Sequence, residues 1–258
     1  MCVVLSGAAA LGCADGDPTG GNGPPGGAEP IDAELVSDFN QPGQAMVLPL
    51  GSPLRNGTWY AFDYGQLAVP VRCTQTPLPG GAYAPDSPPA TSPGSGGLAL
   101  HAAWDACEAF AVGIGADFNV PLTGAPAASD TKVPYDVSAF SGITFLALAL
   151  PNAGPLTDTQ LRVALPLRAT TPIPDGGLCA EPIEGRSLCG DHWRAQFVFQ
   201  PDGSWHRVTV RFSDAVFKQD GWGVAVPWNP ADVTGVQIQP LDSGELYDFW
   251  IDDVALIR

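Results

Sequence analysis

Basic residues are scarce in this chain: 11 Lys and Arg stand against 27 Asp and Glu, a formal charge of −16. A field of that sign repels phosphate backbones and anionic membrane surfaces, which argues against nucleic acid as a partner. No apolar run is long enough for a membrane-spanning helix. Catalytic signatures are missing too, with no Gly-x-Ser-x-Gly elbow, no His-Glu-x-x-His zinc motif and no phosphate-binding loop. The three histidines, His101, His192 and His206, are scattered. A hydrolase or lyase would have to be assembled from carboxylates distant in sequence.

What is abundant is Gly (31) and Pro (27), beside a hydrophobic fraction of 45%. That balance suits many turns, short strands and a real core, so the chain reads as all-β. Ten strands are expected at Leu35 to Phe39, Thr58 to Tyr64, Leu98 to Trp104, Phe110 to Phe118, Ile143 to Leu150, Leu161 to Leu165, Ala195 to Phe199, Trp205 to Phe212, Val236 to Gln239 and Tyr247 to Ile257. So many short strands suggest a β-sandwich. Val208, Val210 and Phe212 alternate with Arg207, Thr209 and Arg211, which turns one face inward and the other to water. The last strand is apolar on both faces except for Asp252 and Asp253, and carboxylates on a covered strand require partners. Asp105 to Ala111 has a second reading as one helical turn.

The N-terminus reads as an export address. Val3 to Leu11 is a short apolar run ending in Ala10-Leu11-Gly12-Cys13, which resembles a bacterial lipobox with Cys13 as the lipidated residue; the alternative is an ordinary secretory signal with an incidental cysteine. Either reading places the protein outside the cytoplasm, on the cell envelope or surface if it is lipid-anchored. Residues 14–30, ADGDPTGGNGPPGGAEP, have the composition of a flexible tether, leaving 31–258 as one domain. Pro77 to Gly97 reads as a long loop within it. Without Cys2 and Cys13, an even set remains: Cys73, Cys107, Cys179 and Cys189. Three pairings are possible, of which Cys179 with Cys189 and Cys73 with Cys107 is favoured; zinc competes, but no Cys-x-x-Cys pair is present.

Several phrases in order, among them Leu35-Val36-Ser37-Asp38-Phe39, Asn56-Gly57-Thr58-Trp59-Tyr60, Gly113 to Phe118, Tyr135 to Ile143, Asp191-His192-Trp193, Gly221-Trp222-Gly223 and Phe249 to Val254, together resemble the galactose-binding-like jelly rolls. The nearest resemblance is to the β-glucan-binding modules of bacterial cellulases and their relatives in extracellular lipoproteins. It implies a jelly-roll sandwich, non-catalytic binding of a polysaccharide, and a structural Ca²⁺ held by Asp252 of the last strand with Asp38 near the first; the alternative for Asp252 is a hydrogen-bonded carboxylate. Sugar rings bind to flat apolar faces flanked by polar groups. The candidates beside loop signals are Trp59, Tyr60, Tyr64, Asp191, His192, Trp193 and Trp222. Core packing is the competing role for each aromatic, and an adhesion domain that binds no sugar is the competing function.

Overall fold

Alternating apolar residues separated by turns give two antiparallel sheets. The computed structural model describes residues 32–258 apart from 44, 52–53, 64–73, 79–82, 90–96, 106, 108–111, 121–131, 151–158, 181–187 and 243–244. The strands are β1 Ala33–Ser37, β2 Trp59–Asp63, β3 Thr74–Thr76, β4 Leu100–Asp105, β5 Val112–Asp117, β6 Gly142–Ala149, β7 Thr159–Leu165, β8 Trp193–Phe199, β9 His206–Arg211, β10 Gly235–Pro240 and β11 Tyr247–Ile257. Helical structure among the described residues is limited to short 3₁₀ turns, including Arg168–Thr170 and Ile173–Asp175. One sheet runs β3-β4-β11-β6-β9 with β1 also on β11; the other runs β2-β5-β10-β7-β8. Successive strands switch repeatedly between sheets, as in a jelly roll.

The core lies between the sheets. β4, β6, β9 and β11 contribute residues such as Trp104, Phe145, Val210 and Phe249, and β2, β5, β7, β8 and β10 answer with Trp59, Ile114, Val163, Phe197 and Ile238. Phe145 and Phe197 meet edge to face across the gap at 5.2 Å, and Trp104 does the same with Phe249 within its own sheet at 5.1 Å, geometries that add to the area they bury. Arg207, Thr209 and Arg211 point away from this core, as their alternation requires. Asp32–Arg258 forms one compact unit.

β11 is the central strand of its sheet. It pairs with β4 over Tyr247–Ile251 and with β1 over Val254–Ile257, and its register on β6 shifts between Asp252 and Ala255. The bulge falls where one partner gives way to the next. Asp253 adopts φ 48° there, a left-handed conformation that Asp tolerates better than most residues, and donates its N–H to Asp252 Oδ1 at 2.8 Å. The bulge therefore gives the enclosed Asp252 carboxylate a hydrogen bond.

Cys179 and Cys189 are disulfide-bonded, with Cα atoms 5.8 Å apart. Cys107 is buried and also disulfide-bonded. Cys73, Tyr64, the signal with Cys13, the tether and most of the segment after Asp105 lie outside the described residues.

Candidate functional site

The outer face of the five-stranded sheet is built from the residues that alternate with the core positions. Strand register lays them out in rows. One row runs Tyr60, Gly115, Gln237, Ala164, Arg194 from β2 to β8. In the next, Phe62 lies opposite Gly113, while Gln239, Arg162 and Gln196 face one another. The order of residue types matters. Aromatic rings stand on the edge strand β2, two glycines of β5 lie beside them, the amides of Gln237 and Gln239 follow on β10, and Arg162, Arg194 and Gln196 occupy β7 and β8.

The glycines make room for the rings. A Cβ at Gly115 would sit 3.2 Å from Tyr60 Cζ and 3.1 Å from Gln237 Cγ, and one at Gly113 would run into Phe62 Cζ. Both rings therefore lean over two positions of β5 that carry no side chain, and their centroids are 6.1 Å apart.

Over the β5 end of this face is a cavity of about 240 Å³, lined by Tyr60, Phe62, Asp117, Lys132, His192 and Gln237 and also by Thr171 and Asp175. Lys132 Nζ sits 2.6 Å from both Asp117 carboxylate oxygens and 5.4 Å from the Tyr60 ring centroid. Gln237 is only 5% exposed, and its Oε1 has no hydrogen-bond partner. The same holds for Arg162 Nε in the next row. Burial first, then the neighbouring Arg194, lowers the Arg162 pKa, with Asp220 opposing.

His192 is buried, with Nδ1 2.7 Å from Thr170 Oγ1, so its other ring nitrogen, Nε2, is the polar atom left to face the cavity. Burial, then Arg194 and Lys132, pushes its pKa down to about 3. The imidazole is therefore uncharged at neutral pH and offers a hydrogen bond without a net charge.

The other residues expected from sequence take different places. Asp191 is 1% exposed. Its carboxylate accepts the backbone N–H groups of Asp220, Gly221 and Gly223 at 3.0, 2.8 and 3.1 Å, and Arg194 Nη2 at 3.2 Å. It folds the 220–223 loop and presents nothing outward. Trp193 donates Nε1–H to the Val226 carbonyl at 2.9 Å and packs on Phe217 and Trp228. Trp59 is a core residue, 1% exposed, with Nε1–H donated to Ser37 Oγ at 2.8 Å. Trp222 is 47% exposed, with the Arg194 guanidinium 6.0 Å from its ring centroid, at the β8 margin of the face. Tyr60 and His192 are thus the two expected residues brought together in the cavity.

Phe62, Asp117, Lys132 and Gln237 were not picked out by the sequence reading. The signal that would have found Asp117 and Gln237 is the Gly113-Ile114-Gly115 alternation together with the glutamines of Val236-Gln237-Ile238-Gln239, polar or empty positions on the outer face of strands whose inner face is aliphatic; Lys132 carries no such signal.

No family model matches the chain, and no curated protein matches it. Among solved structures, it is similar to the family 11 carbohydrate-binding module of the cellulosomal cellulase Lic26A-Cel5E of Clostridium thermocellum, with a TM-score of 0.42 and 13% identity over 89% of this chain and 96% of that one. The Clostridium thermocellum family 11 module in complex with a β-1,3-1,4-mixed-linked tetrasaccharide gives a TM-score of 0.40 and 13% identity over 83% and 95%. An exo-β-agarase gives 0.42 and 11% over 77% of this chain and 24% of that one.

Proposed function

We propose that this is a non-catalytic carbohydrate-binding protein that captures a polysaccharide on the outer face of the five-stranded sheet. One observation carries the reading: two buried polar atoms, Gln237 Oε1 and Arg162 Nε, have no hydrogen-bond partner on a face that also carries the Tyr60 and Phe62 rings. Native proteins leave few such atoms unsatisfied, so each calls for an explanation, and two on one outer face beside the edge-strand rings are accounted for by a ligand hydroxyl or an ordered water. Sugars supply both halves of the match, hydroxyls for the amide and guanidinium and C–H faces for the rings. Affinity electrophoresis against soluble glucans, xylans and mannans tests it. Retardation by at least one polymer, lost or much reduced in Gln237→Ala and Tyr60→Ala, is expected; retardation by none favours an adhesion domain that contacts other proteins.

Two further elements belong to this proposal. Lipidation of Cys13 would hold the domain at the cell surface through the flexible tether. A structural Ca²⁺ would bind Asp38 and Asp252 at the β1–β11 end. Its support is electrostatic: the Asp252 carboxylate is enclosed, and the adjacent Asp253 pKa is raised by burial first, lowered by Arg207 and raised again by Asp38, so a cation would relieve the clustered negative charge. Among the described residues no three His, Cys, Asp or Glu side chains converge as a metal site, so backbone carbonyls would complete the shell. Chelation is expected to lower the Tm by several degrees, equivalent to about 2.7 kcal/mol at a hundredfold excess of Ca²⁺ over Kd. An unchanged melting curve with no metal by elemental analysis would remove the ion.

A further inference from the structure

Resting on that reading, we infer that the cavity is a blind pocket that takes the end of a neutral glycan chain, where an open groove would take an internal segment. Described residues line three of its sides. β2 is the edge strand of the sheet, and its Tyr60 and Phe62 rings wall one side. Opposite them stand Pro166, Thr171, Asp175 and His192.

The third side is a strap made by a single residue. The Lys132 backbone N–H donates to the Gly176 carbonyl at 2.7 Å, joining the segment that carries it to the 3₁₀ turn of the opposite wall. Its side chain reaches back to the end of β5, where Nζ is held at 2.6 Å by both oxygens of Asp117. Lys132 thus bridges Gly176, next to the lining Asp175, and Asp117 at the end of β5. The floor is Gln237, its buried Oε1 without a partner.

Size and charge narrow the ligand. A cavity of about 240 Å³ is smaller than the roughly 300–1,000 Å³ that holds a drug-sized ligand, and suits about one or two sugar rings. Asp117 and Lys132 offset each other, the remaining lining carboxylate Asp175 is negative, and a chain with a net charge of −16 repels polyanions. The ligand is therefore the terminal residue or disaccharide of an uncharged polymer.

The probes are mixed-linkage β-glucan, xylan and mannan, each intact and after partial acid hydrolysis, with their purified di- and hexasaccharides, titrated calorimetrically into the full-length protein. At equal mass, sites per gram should rise in proportion to the number of chain ends, about tenfold for a tenfold shorter chain, with the disaccharide within about threefold of the hexasaccharide in affinity. Lys132→Ala, which cuts the strap, should raise binding of intact polymer relative to its hydrolysate. Sites per gram unchanged by hydrolysis, with affinity climbing more than about tenfold from di- to hexasaccharide, would overturn end recognition and leave carbohydrate binding standing. An unchanged intact-to-hydrolysed ratio in Lys132→Ala would overturn the strap. Binding of no probe would overturn the carbohydrate reading, and end recognition with it.

Discussion

Asp191→Ala is expected to destabilise the domain more than any single change on the outer face of the five-stranded sheet, by about 3–5 kcal/mol. Its carboxylate accepts three backbone N–H groups from the 220–223 loop and one hydrogen bond from Arg194, and it is enclosed. Truncation leaves several donors unsatisfied at once, each costing about 1–3 kcal/mol, and leaves buried Arg194 with the more distant Asp220, 3.5 Å from its Nη1, as its one counter-charge among the described residues. In a domain of this size that corresponds to a fall in Tm of about 10 °C. Asp191→Asn, which keeps one oxygen and the side-chain volume, should fall between wild type and Asp191→Ala. Thermal denaturation of the three proteins checks the ordering. Equal melting temperatures would show that the loop does not depend on this carboxylate.

The second large effect is a pH dependence of stability owed to His192. Its pKa is about 3 in the folded protein and about 6.5 in an unfolded chain. Between those values the unfolded state binds a proton that the folded state refuses, so stability rises with pH across the window and is lost as pH falls below about 6.5. The slope from this one group is about 1.4 kcal/mol per pH unit. Other carboxylates titrate in the same range, so the informative quantity is the difference between wild type and His192→Asn, an uncharged residue able to keep the contact with Thr170. Chemical denaturation from pH 7 to pH 4 should show a shallower decline for the variant. Parallel curves would mean that His192 takes up its proton in the folded state.

Much of the fold was legible in the sequence because it depends on alternation and turn composition. Among the described residues, ten of the eleven strands match segments read from apolar periodicity, and the eleventh, Thr74–Thr76, was missed because an edge strand reading Thr-Gln-Thr carries no apolar pattern. The candidate site was less legible for the same reason that the fold was clear. Loop aromatics look like ligand platforms in sequence, yet Trp59 and Trp193 were absorbed into packing, and Asp191 into loop hydrogen bonds. The cavity instead uses outward positions of regular strands, Tyr60, Phe62, Asp117 and Gln237, together with Lys132, whose role depends on contacts with Gly176 and Asp117 across the face. Those juxtapositions come from strand order, which alternation alone does not specify.

The central claim is that sugar is held on the outer face of the five-stranded sheet, and its most direct test is to follow backbone amides and the Gln237 side-chain amide by NMR while titrating an oligosaccharide from the retarding polymer. The account predicts shifts concentrated at Tyr60, Phe62, Asp117, Lys132, His192 and Gln237, with the Gln237 side-chain amide among the largest. Shifts confined to the outer face of the other sheet, around Trp250 and His101, would contradict it.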